Sequence, residues 1–354
     1  MQDEARNGGV ITVKTDIKSM LLPELKEYFE SIGEKAFRAG QVFKWLHGGA
    51  VLFSEMTDLP EKLRSRLDDE FHIDAPSIAK KQISKTDGTI KYLWRLSDGN
   101  AVESVVMEYD HGKTVCISTQ AGCRMGCAFC ASTISGLERN LTASEMENQV
   151  MYSQLDCGQR ITNVVLMGVG EPLDNFDNVI RFLRLVTHES GMGIGARRIS
   201  LSTCGIIENI DKLSGCDIKL TLSVSLHAPD DETRSLLLPV NRSVGVDNLL
   251  EACRRYFDVT GRRVSYEYAM IDGVNDAPHQ AGLLAEKLKD TGSHLNLIRL
   301  NDVAESSFKA SSRESIKAFT EILGNKGVNF TVRRKLGGDI EASCGQLRIR
   351  AGRP

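Results

Sequence analysis

Three cysteines stand close together in Gln120-Ala121-Gly122-Cys123-Arg124-Met125-Gly126-Cys127-Ala128-Phe129-Cys130, spaced C-x3-C-x2-C directly after a predicted strand. Three thiolates on one tight loop can hold three irons of a cubic 4Fe-4S cluster and leave the fourth iron open. An open iron can chelate the amino and carboxylate groups of S-adenosylmethionine, whose sulfonium a low-potential electron then splits. Phe129, just before the last cysteine, supplies the aromatic neighbour usual in such loops. The competing reading is structural zinc, which asks for a fourth Cys or His, usually in a second short pair. The nearest later candidates, Cys157 and His188, are not paired. The spacing favours the cluster and leaves zinc as the alternative.

A second string, Met167-Gly168-Val169-Gly170-Glu171-Pro172, follows a predicted strand over Ile161–Met167. A Gly-Glu pair at the carboxyl end of a strand can receive an amino group, the glycine giving access to the backbone, although glycine there is also an ordinary turn. Ser202 ends the next predicted strand and Ser225-Leu226-His227 the one after. Each alone is equally a satisfied strand-end hydroxyl or imidazole; together they would put polar groups around one mouth.

The elements that must position these groups have two periods. The first 85 or so residues read as a small helical domain, with Leu21, Leu22, Leu25 and Phe29 at helical spacing and a second run of Phe37, Val42, Phe43, Trp45 and Leu46. Thr57-Asp58 before Leu59-Pro60-Glu61 reads as a helix start, with Asp58 as N-cap. From about residue 88, β-rich runs appear at Ile90–Leu96, Val102–Met107, Thr114–Ser118, Ile161–Met167, Arg198–Ser202, Ile218–Leu226, Val264–Ile271, Leu295–Leu300 and Val328–Val332. Helical stretches at Thr142–Leu155, Asn175–Thr187, Asp247–Phe257, His279–Leu288 and Ser312–Leu323 separate the later ones. Such alternation implies parallel βα units, as an open sheet or a full or partial barrel, with ligands at the carboxyl ends of the strands. Residues 333–354 hold six basic and two acidic residues and leave the helical pattern.

Composition narrows the class. Forty-four Lys+Arg nearly balance 47 Asp+Glu, so the net charge neither demands nor forbids a nucleic-acid partner. No apolar run approaches the roughly 20 residues of a membrane span, and the acidic start Met1-Gln2-Asp3-Glu4 does not read as a secretory signal. Nine cysteines, an odd count, argue for a reducing compartment and against a disulfide scaffold.

Further strings carry a resemblance over nearly the whole chain. They are Gly33-Glu34-Lys35-Ala36-Phe37-Arg38-Ala39-Gly40-Gln41, Met56-Thr57-Asp58-Leu59-Pro60, Arg139-Asn140-Leu141-Thr142, Ser225-Leu226-His227-Ala228-Pro229, Asp272-Gly273-Val274-Asn275-Asp276 and Gly338-Asp339-Ile340-Glu341-Ala342-Ser343-Cys344-Gly345-Gln346-Leu347. With the cysteine loop they closely resemble the RlmN/Cfr family, radical S-adenosylmethionine enzymes that methylate an adenine ring of RNA. The resemblance implies an α/β fold with a radical-SAM partial (β/α)6-type barrel over residues 86–332. An RNA-docking helical domain over 1–85 would precede it, and a catalytic tail over 333–354 would follow.

It also implies the chemistry. Carbon 2 of adenine lies between two ring nitrogens and is too electron-poor to attack a methyl sulfonium, whereas a radical can add to it. By resemblance, one 4Fe-4S cluster sits on Cys123, Cys127 and Cys130. Two S-adenosylmethionine molecules serve each turnover. The first methylates Cys344; the second yields a 5′-deoxyadenosyl radical that takes hydrogen from that methyl group, and the methylene radical adds to the adenine as a covalent protein–RNA adduct. Cys116 then attacks the Cys344 sulfur and forms a disulfide as the product leaves, with Glu103 as proton acceptor. Gly170, Glu171, Ser202, Ser225, Leu226, His227 and Asn301 match the family's S-adenosylmethionine contacts. Cys157, Cys204, Cys216 and Cys253 match no functional position, and Cys204 reads as a small packed residue. The basic pairs Arg197-Arg198, Arg254-Arg255, Arg262-Arg263 and Arg333-Arg334 read singly as solvated faces, some near phosphates.

Two branches of the family differ in the atom they methylate. Gly170-Glu171-Pro172, Phe37-Arg38-Ala39 and Phe43-Lys44-Trp45-Leu46-His47 resemble the housekeeping branch, which acts on carbon 2. Leu297-Ile298-Arg299-Leu300-Asn301 leans toward the resistance branch, which acts on carbon 8. The expectation is carbon 2 of an adenosine in the peptidyl-transferase region of 23S rRNA and of an adenosine 3′ of the anticodon in some tRNAs. A flipped target base, a low-potential donor such as flavodoxin and a cytoplasmic location follow from the resemblance. A non-catalytic Fe-S RNA-binding protein is the alternative of a different class.

Overall fold

The computed structural model describes all residues except 1–13, 111, 290, 302, 304 and 348–354. The chain divides into two compact units between Asp74 and Ala75. The first holds three helices, α1 (Leu22–Ser31), α2 (Phe37–His47) and α3 (Glu61–Glu70), and a two-residue parallel pairing of Thr15–Asp16 with Phe71–His72. Leu25 and Phe29, one turn apart on α1, are fully buried with Val42, Phe43 and Leu46 of α2 and Leu67 of α3. Asp58 does not cap a helix. α3 begins at Glu61 behind Pro60, and the Asp58 carboxylate instead accepts from Trp45 Nε1 at 2.6 Å and Gln41 Nε2 at 2.9 Å. It ties the loop to α2, because the indole and amide reach it before any helix N–H does.

The second unit is built on one ten-stranded sheet. Its strands are β1 (Ser77–Ile83), β2 (Ile90–Arg95), β3 (Ala101–Tyr109), β4 (Gly112–Cys116), β5 (Ile161–Leu166), β6 (Ile199–Thr203), β7 (Thr221–Ser225), β8 (Ser265–Met270), β9 (His294–Arg299) and β10 (Phe330–Val332). Their order across the sheet is their order in the chain. β1 to β4 pair antiparallel, and β4 to β10 pair parallel. Helical crossovers join the parallel strands: α4 (Ala143–Cys157), α5 (Phe176–Thr187), α6 (Ile207–Ser214), the run α7 (Asp231–Leu237), α8 (Asn241–Val244) and α9 (Val246–Thr260), then α10 (Pro278–Leu288) and α11 (Arg313–Asn325). Six full parallel strands, β4 to β9, make the expected (β/α)6 core, and β10 adds a three-residue edge. The sheet is open, and it curves enough for residues of β5, β6, β8 and β9 to line one cavity.

Two helix starts follow the chemistry of their caps. Thr142 accepts from Glu145 N, and Glu145 returns its carboxylate to Thr142 N at 2.9 Å. Ser312 accepts from Ser315 N at 3.0 Å. The helical unit ends earlier than expected: residues 77–83, placed by pattern in the helical segment, form edge strand β1 of the sheet. Its side chains, including Lys80 and Lys81, are almost all exposed, so the sequence shows no alternation there.

Candidate active site

The cysteine loop hangs from a short antiparallel ribbon, Gln120–Gly122 against Leu137–Asn140. Gly122 has φ +81°, and a Cβ there would lie 1.9 Å from Gly136 O, so the ribbon closes only on glycine. Cys123 N donates to Gly136 O at 2.8 Å, and Ala128 N donates to Leu237 O at the end of α7 at 3.0 Å. Cys123, Cys127 and Cys130 all line one cavity, and all are free thiols. Burial pushes Cys123 up to about 12 and raises Cys127 and Cys130. Among the described residues no three His, Cys, Asp or Glu side chains come close enough to hold a single metal ion. Three thiols spaced around a cavity wall suit a multi-iron cluster better than a zinc cage.

Opposite the thiols stands the Gly-Val-Gly-Glu turn. A Cβ on Gly170, at φ +108°, would come 2.7 Å from Gln120 Cβ, so the turn packs directly on the ribbon. Buried Glu171 accepts from Leu173 N at 3.0 Å and Cys204 N at 2.8 Å. Burial raises its pKa, and those N–H groups oppose the rise. Cys204 is thus more than packing: its side chain belongs to a buried apolar cluster and its N–H orients Glu171.

His227 has a left-handed backbone, φ +56°. Its Nδ1 accepts from Ala269 N at 2.9 Å, which assigns the proton to Nε2. Burial, with the Arg234 charge nearby, lowers its pKa to about 3, so the imidazole is neutral and offers a donor to the cavity. Its ring meets Phe129 edge-on with centroids 5.0 Å apart. Arg234 of α7, fully buried, ties the ends of β6 and β7 together: it donates to Leu226 O, Cys204 O and Ser225 O at 2.7–3.0 Å and to Asn241 Oδ1 at 2.7 Å.

The tail closes the cavity. Ala131 N donates to Gly345 O at 2.8 Å, and Ser132 Oγ donates to Leu347 O at 2.7 Å. Asn301 Nδ2 donates to Cys344 O at 3.1 Å. Ser84 Oγ and Lys85 N hold Asp339 from the β1–β2 turn, at 2.7 and 3.0 Å. Exposed Cys344 lies between the first cavity and a second, lined by Cys116, Tyr109, Arg299, Arg333, Arg334 and Lys335 among others. Both cavities share Met167, Ile298, Asn301, Arg333 and Cys344. Burial, with Cys344 beside it, pushes Cys116 up to about 12.

The structure therefore gathers Cys123, Cys127, Cys130, Gly170, Glu171, Ser202, Ser225, His227, Asn301 and Cys344 around one cavity. Leu226 is not in its wall; it is fully buried, and its N–H goes to Glu267 O. Glu103 lines neither cavity. It is buried on β3, its Oε1 2.7 Å from Lys91 Nζ. Sequence reasoning missed Lys91 and Glu267, which have partners remote in sequence, and Arg234, which sits on a helix of seven residues. It also read Arg333 as a solvated residue, yet its Nη1 reaches Glu267 Oε2 at 3.3 Å. Arg255 fits the expectation, exposed and paired with Asp211.

Residues 117–281 match the model of the Radical SAM superfamily, and residues 15–73 match that of the Ribosomal RNA large subunit methyltransferase N-terminal domain. The chain is 48% identical over 339 residues to a probable dual-specificity RNA methyltransferase RlmN of Lachnoclostridium phytofermentans, covering 96% of this chain and 95% of the relative. A protein of the same description from Alkaliphilus oremlandii is 49% identical, covering 95% of this chain and 98% of the relative. The crystal structure of a radical SAM methyltransferase from Sphaerobacter thermophilus superposes with a TM-score of 0.89 at 42% identity, over 94% of this chain and 99% of that one. The thiol loop, the facing Gly-Glu turn and these likenesses agree: the chain belongs to the RlmN family of radical S-adenosylmethionine RNA methyltransferases.

Proposed function

We propose that this enzyme methylates carbon 2 of an adenosine in the peptidyl-transferase region of 23S rRNA, and of the adenosine 3′ of the anticodon in some tRNAs. Cys344 would be the methyl carrier. The observation that carries this reading is the position of Cys344 in the wall shared by two cavities, one bearing the three loop thiols and the other Cys116 and four basic side chains. A carrier must face its donor and its acceptor, and this position meets both demands.

Cys123, Cys127 and Cys130 would hold a 4Fe-4S cluster, which when bound supplies the electron that splits S-adenosylmethionine, two molecules being used per turnover. Glu171, Ser202, Ser225, the His227 Nε2–H and Asn301 Oδ1 supply polar groups around the same cavity, with Gly170 leaving room for the backbone approach; Leu226 acts only through its place behind them. The chain's own residues carry the rest. Asn301 holds the carrier by its main chain and leaves the sulfur unencumbered. Burial first, and Cys344 beside it second, keep Cys116 protonated; alkylation of Cys344 would remove the second cause alone, and the Met167 main chain and Arg333 favour the Cys116 thiolate. Once the adduct has given its unpaired electron to a one-electron acceptor, attack of Cys116 on the Cys344 sulfur would break the sulfur–methylene bond and form the disulfide. The freed carbon would take a proton to become the methyl group of the released base. Glu103 would take the ring proton. Tyr109 and the Arg299, Arg333, Arg334 and Lys335 group suit a flipped nucleotide and its phosphates. Among the described residues no helix is long and apolar enough to cross a membrane. The family resemblance, rather than that absence, is the ground for proposing action on RNA in the cytoplasm with a flavodoxin-like donor.

The test is anaerobic incubation of reconstituted protein with S-adenosylmethionine, reductant and an rRNA fragment, followed by mass spectrometry of the nucleosides. The expected product is 2-methyladenosine, lost in Cys344→Ala. 8-Methyladenosine would place the enzyme in the resistance branch instead, and an intact cluster without RNA methylation would sink the catalytic reading.

A further inference from the structure

His227 stands in a strained turn. Among the described residues three that are not glycine have positive φ, namely Asp217, His227 and Glu341, and of these only His227 is buried. Ala228 N donates to Leu226 O at 2.8 Å, closing a three-residue turn around the His227 φ of +56°. Three-residue turns with a positive central φ are rare and strained. Backbone of this kind persists only where its surroundings over-determine it. One side of the turn is held by Glu267 O, which accepts from Leu226 N at 3.0 Å and His227 N at 3.2 Å.

The other side is held by a single side chain, Asn275, which is fully buried in the loop between β8 and α10. Its Nδ2 donates to His227 O at 2.7 Å and to Ala269 O at 2.6 Å, and its Oδ1 accepts from Ile271 N at 2.7 Å. A side-chain amide has two donor hydrogens, and both reach carbonyls beside the histidine. Ala269 is also the residue whose N–H meets His227 Nδ1 at 2.9 Å. One amide therefore fixes both the backbone of His227 and the strand residue that caps its ring. Asn275 is itself anchored, its main-chain oxygen accepting from the hydroxyl of fully buried Tyr268 at 2.6 Å. The register of β7 with β8 ends at Ser225 opposite Glu267, so the amide carries the junction of the two strand ends past the ladder.

We infer that Asn275 is a positioning residue for S-adenosylmethionine binding: its amide locks the turn at His227 so that the imidazole presents Nε2–H to the cofactor cavity as a fixed donor. This rests on the reading of His227 as a contact of S-adenosylmethionine. With Nδ1 engaged by Ala269 N–H, the ring cannot turn over without losing that bond, and its hydrogen stays on Nε2. A donor already held in place binds an acceptor of the ligand without a further cost of ordering. The same ring meets Phe129 of the thiol loop edge-on, so a shifted turn would disturb imidazole and loop together.

The experiment compares Asn275→Asp, His227→Ala and the double variant in reconstituted full-length protein, with S-adenosylmethionine affinity measured by equilibrium dialysis. Histidine-selective 15N NMR of the cluster-free full-length protein reports the His227 tautomer, its signals identified by their loss in His227→Ala. Aspartate keeps the acceptor for Ile271 N and lacks both donors. Asn275→Asp and His227→Ala should each weaken binding about 10-fold or more. The double variant should bind no more weakly than the weaker single one, because both changes remove the same contact. The parent should show the Nε2–H tautomer alone, and Asn275→Asp a mixture of the two tautomers. Asn275→Ser, with one hydroxyl donor, stands in with the same expectations if the aspartate variant does not fold. Losses that add in the double variant, an unmixed tautomer in Asn275→Asp, or parental affinity of Asn275→Asp beside a weakened His227→Ala overturn the role of Asn275 and leave His227 standing. Parental affinity of His227→Ala removes the reading of His227, and this inference with it.

Discussion

The side-chain amide of Asn301 is divided between two duties: Nδ2 holds the main-chain oxygen of Cys344 at 3.1 Å, and Oδ1 is buried without a hydrogen-bond partner among the described residues. A buried acceptor left unpaired costs about 1–3 kcal/mol, so a ligand donor entering the cavity would relieve it. The amino group of S-adenosylmethionine is a donor of that kind. Asn301→Leu should therefore weaken S-adenosylmethionine binding to the reconstituted protein by about 10-fold or more and speed amide exchange in residues 341–347. Asn301→Asp keeps an acceptor and loses the donor, so it should spare ligand binding and still loosen the tail. Equal effects of the two variants on both readouts would contradict the division of labour.

Arg234 is a buried cation whose four hydrogen-bond acceptors are all neutral: three strand-end carbonyls and Asn241 Oδ1. Its fork joins the ends of β6 and β7, from which Ser202, Cys204 and Ser225 reach the cavity. Removing it strands those carbonyls in an apolar setting. Arg234→Met should destabilise the apoprotein by about 3 kcal/mol or more, read by chemical denaturation. Lysine, a point charge on a flexible stem, cannot meet acceptors in two strands at once, so Arg234→Lys should recover only part of the loss. A loss below about 1 kcal/mol for the methionine variant would show that the clamp is dispensable.

The lowered pKa of His227, about 3, has a thermodynamic consequence. The folded protein keeps this imidazole neutral where the unfolded chain, near 6.5, already binds a proton. Between those values the unfolded state takes up more protons, so stability falls as pH drops below about 6.5 and is level above it. The share due to His227 reaches about 2 kcal/mol near pH 5. His227→Gln should lack this component: its denaturation midpoint should decline less between pH 7 and pH 5 than that of the parent. Parallel declines would place the histidine in contact with water.

What could be read from sequence was what is local. The cysteine loop declares itself because its ligands lie within eight residues, and Thr142 and Ser312 announce their helices through caps three residues away. The inner parallel strands were legible as short runs rich in β-branched, leucine and tyrosine residues separated by helical stretches. Strand β1 was not, because an edge strand bearing Lys80 and Lys81 carries no inward face to alternate. The short helix α7 escaped for want of length, and Arg234 with it. Asp58 looked like a cap because aspartate before Leu-Pro-Glu often is one; its true partners, Trp45 and Gln41, come from an earlier helix. Lys91, Glu103 and Glu341 meet across 250 residues, and no local pattern reports such a meeting.

Every strand of the large sheet lies beside its immediate predecessor in the chain. The sheet can therefore be laid down in the order of synthesis, with no strand waiting for a later one to be inserted between it and its neighbour. The segment bearing Cys344 comes after all ten strands and docks on a surface that is already complete, through Ala131, Ser132, Asn301, Lys91 and the β1–β2 turn. A nascent chain can thus shape the cavity first and receive the Cys344 sulfur last.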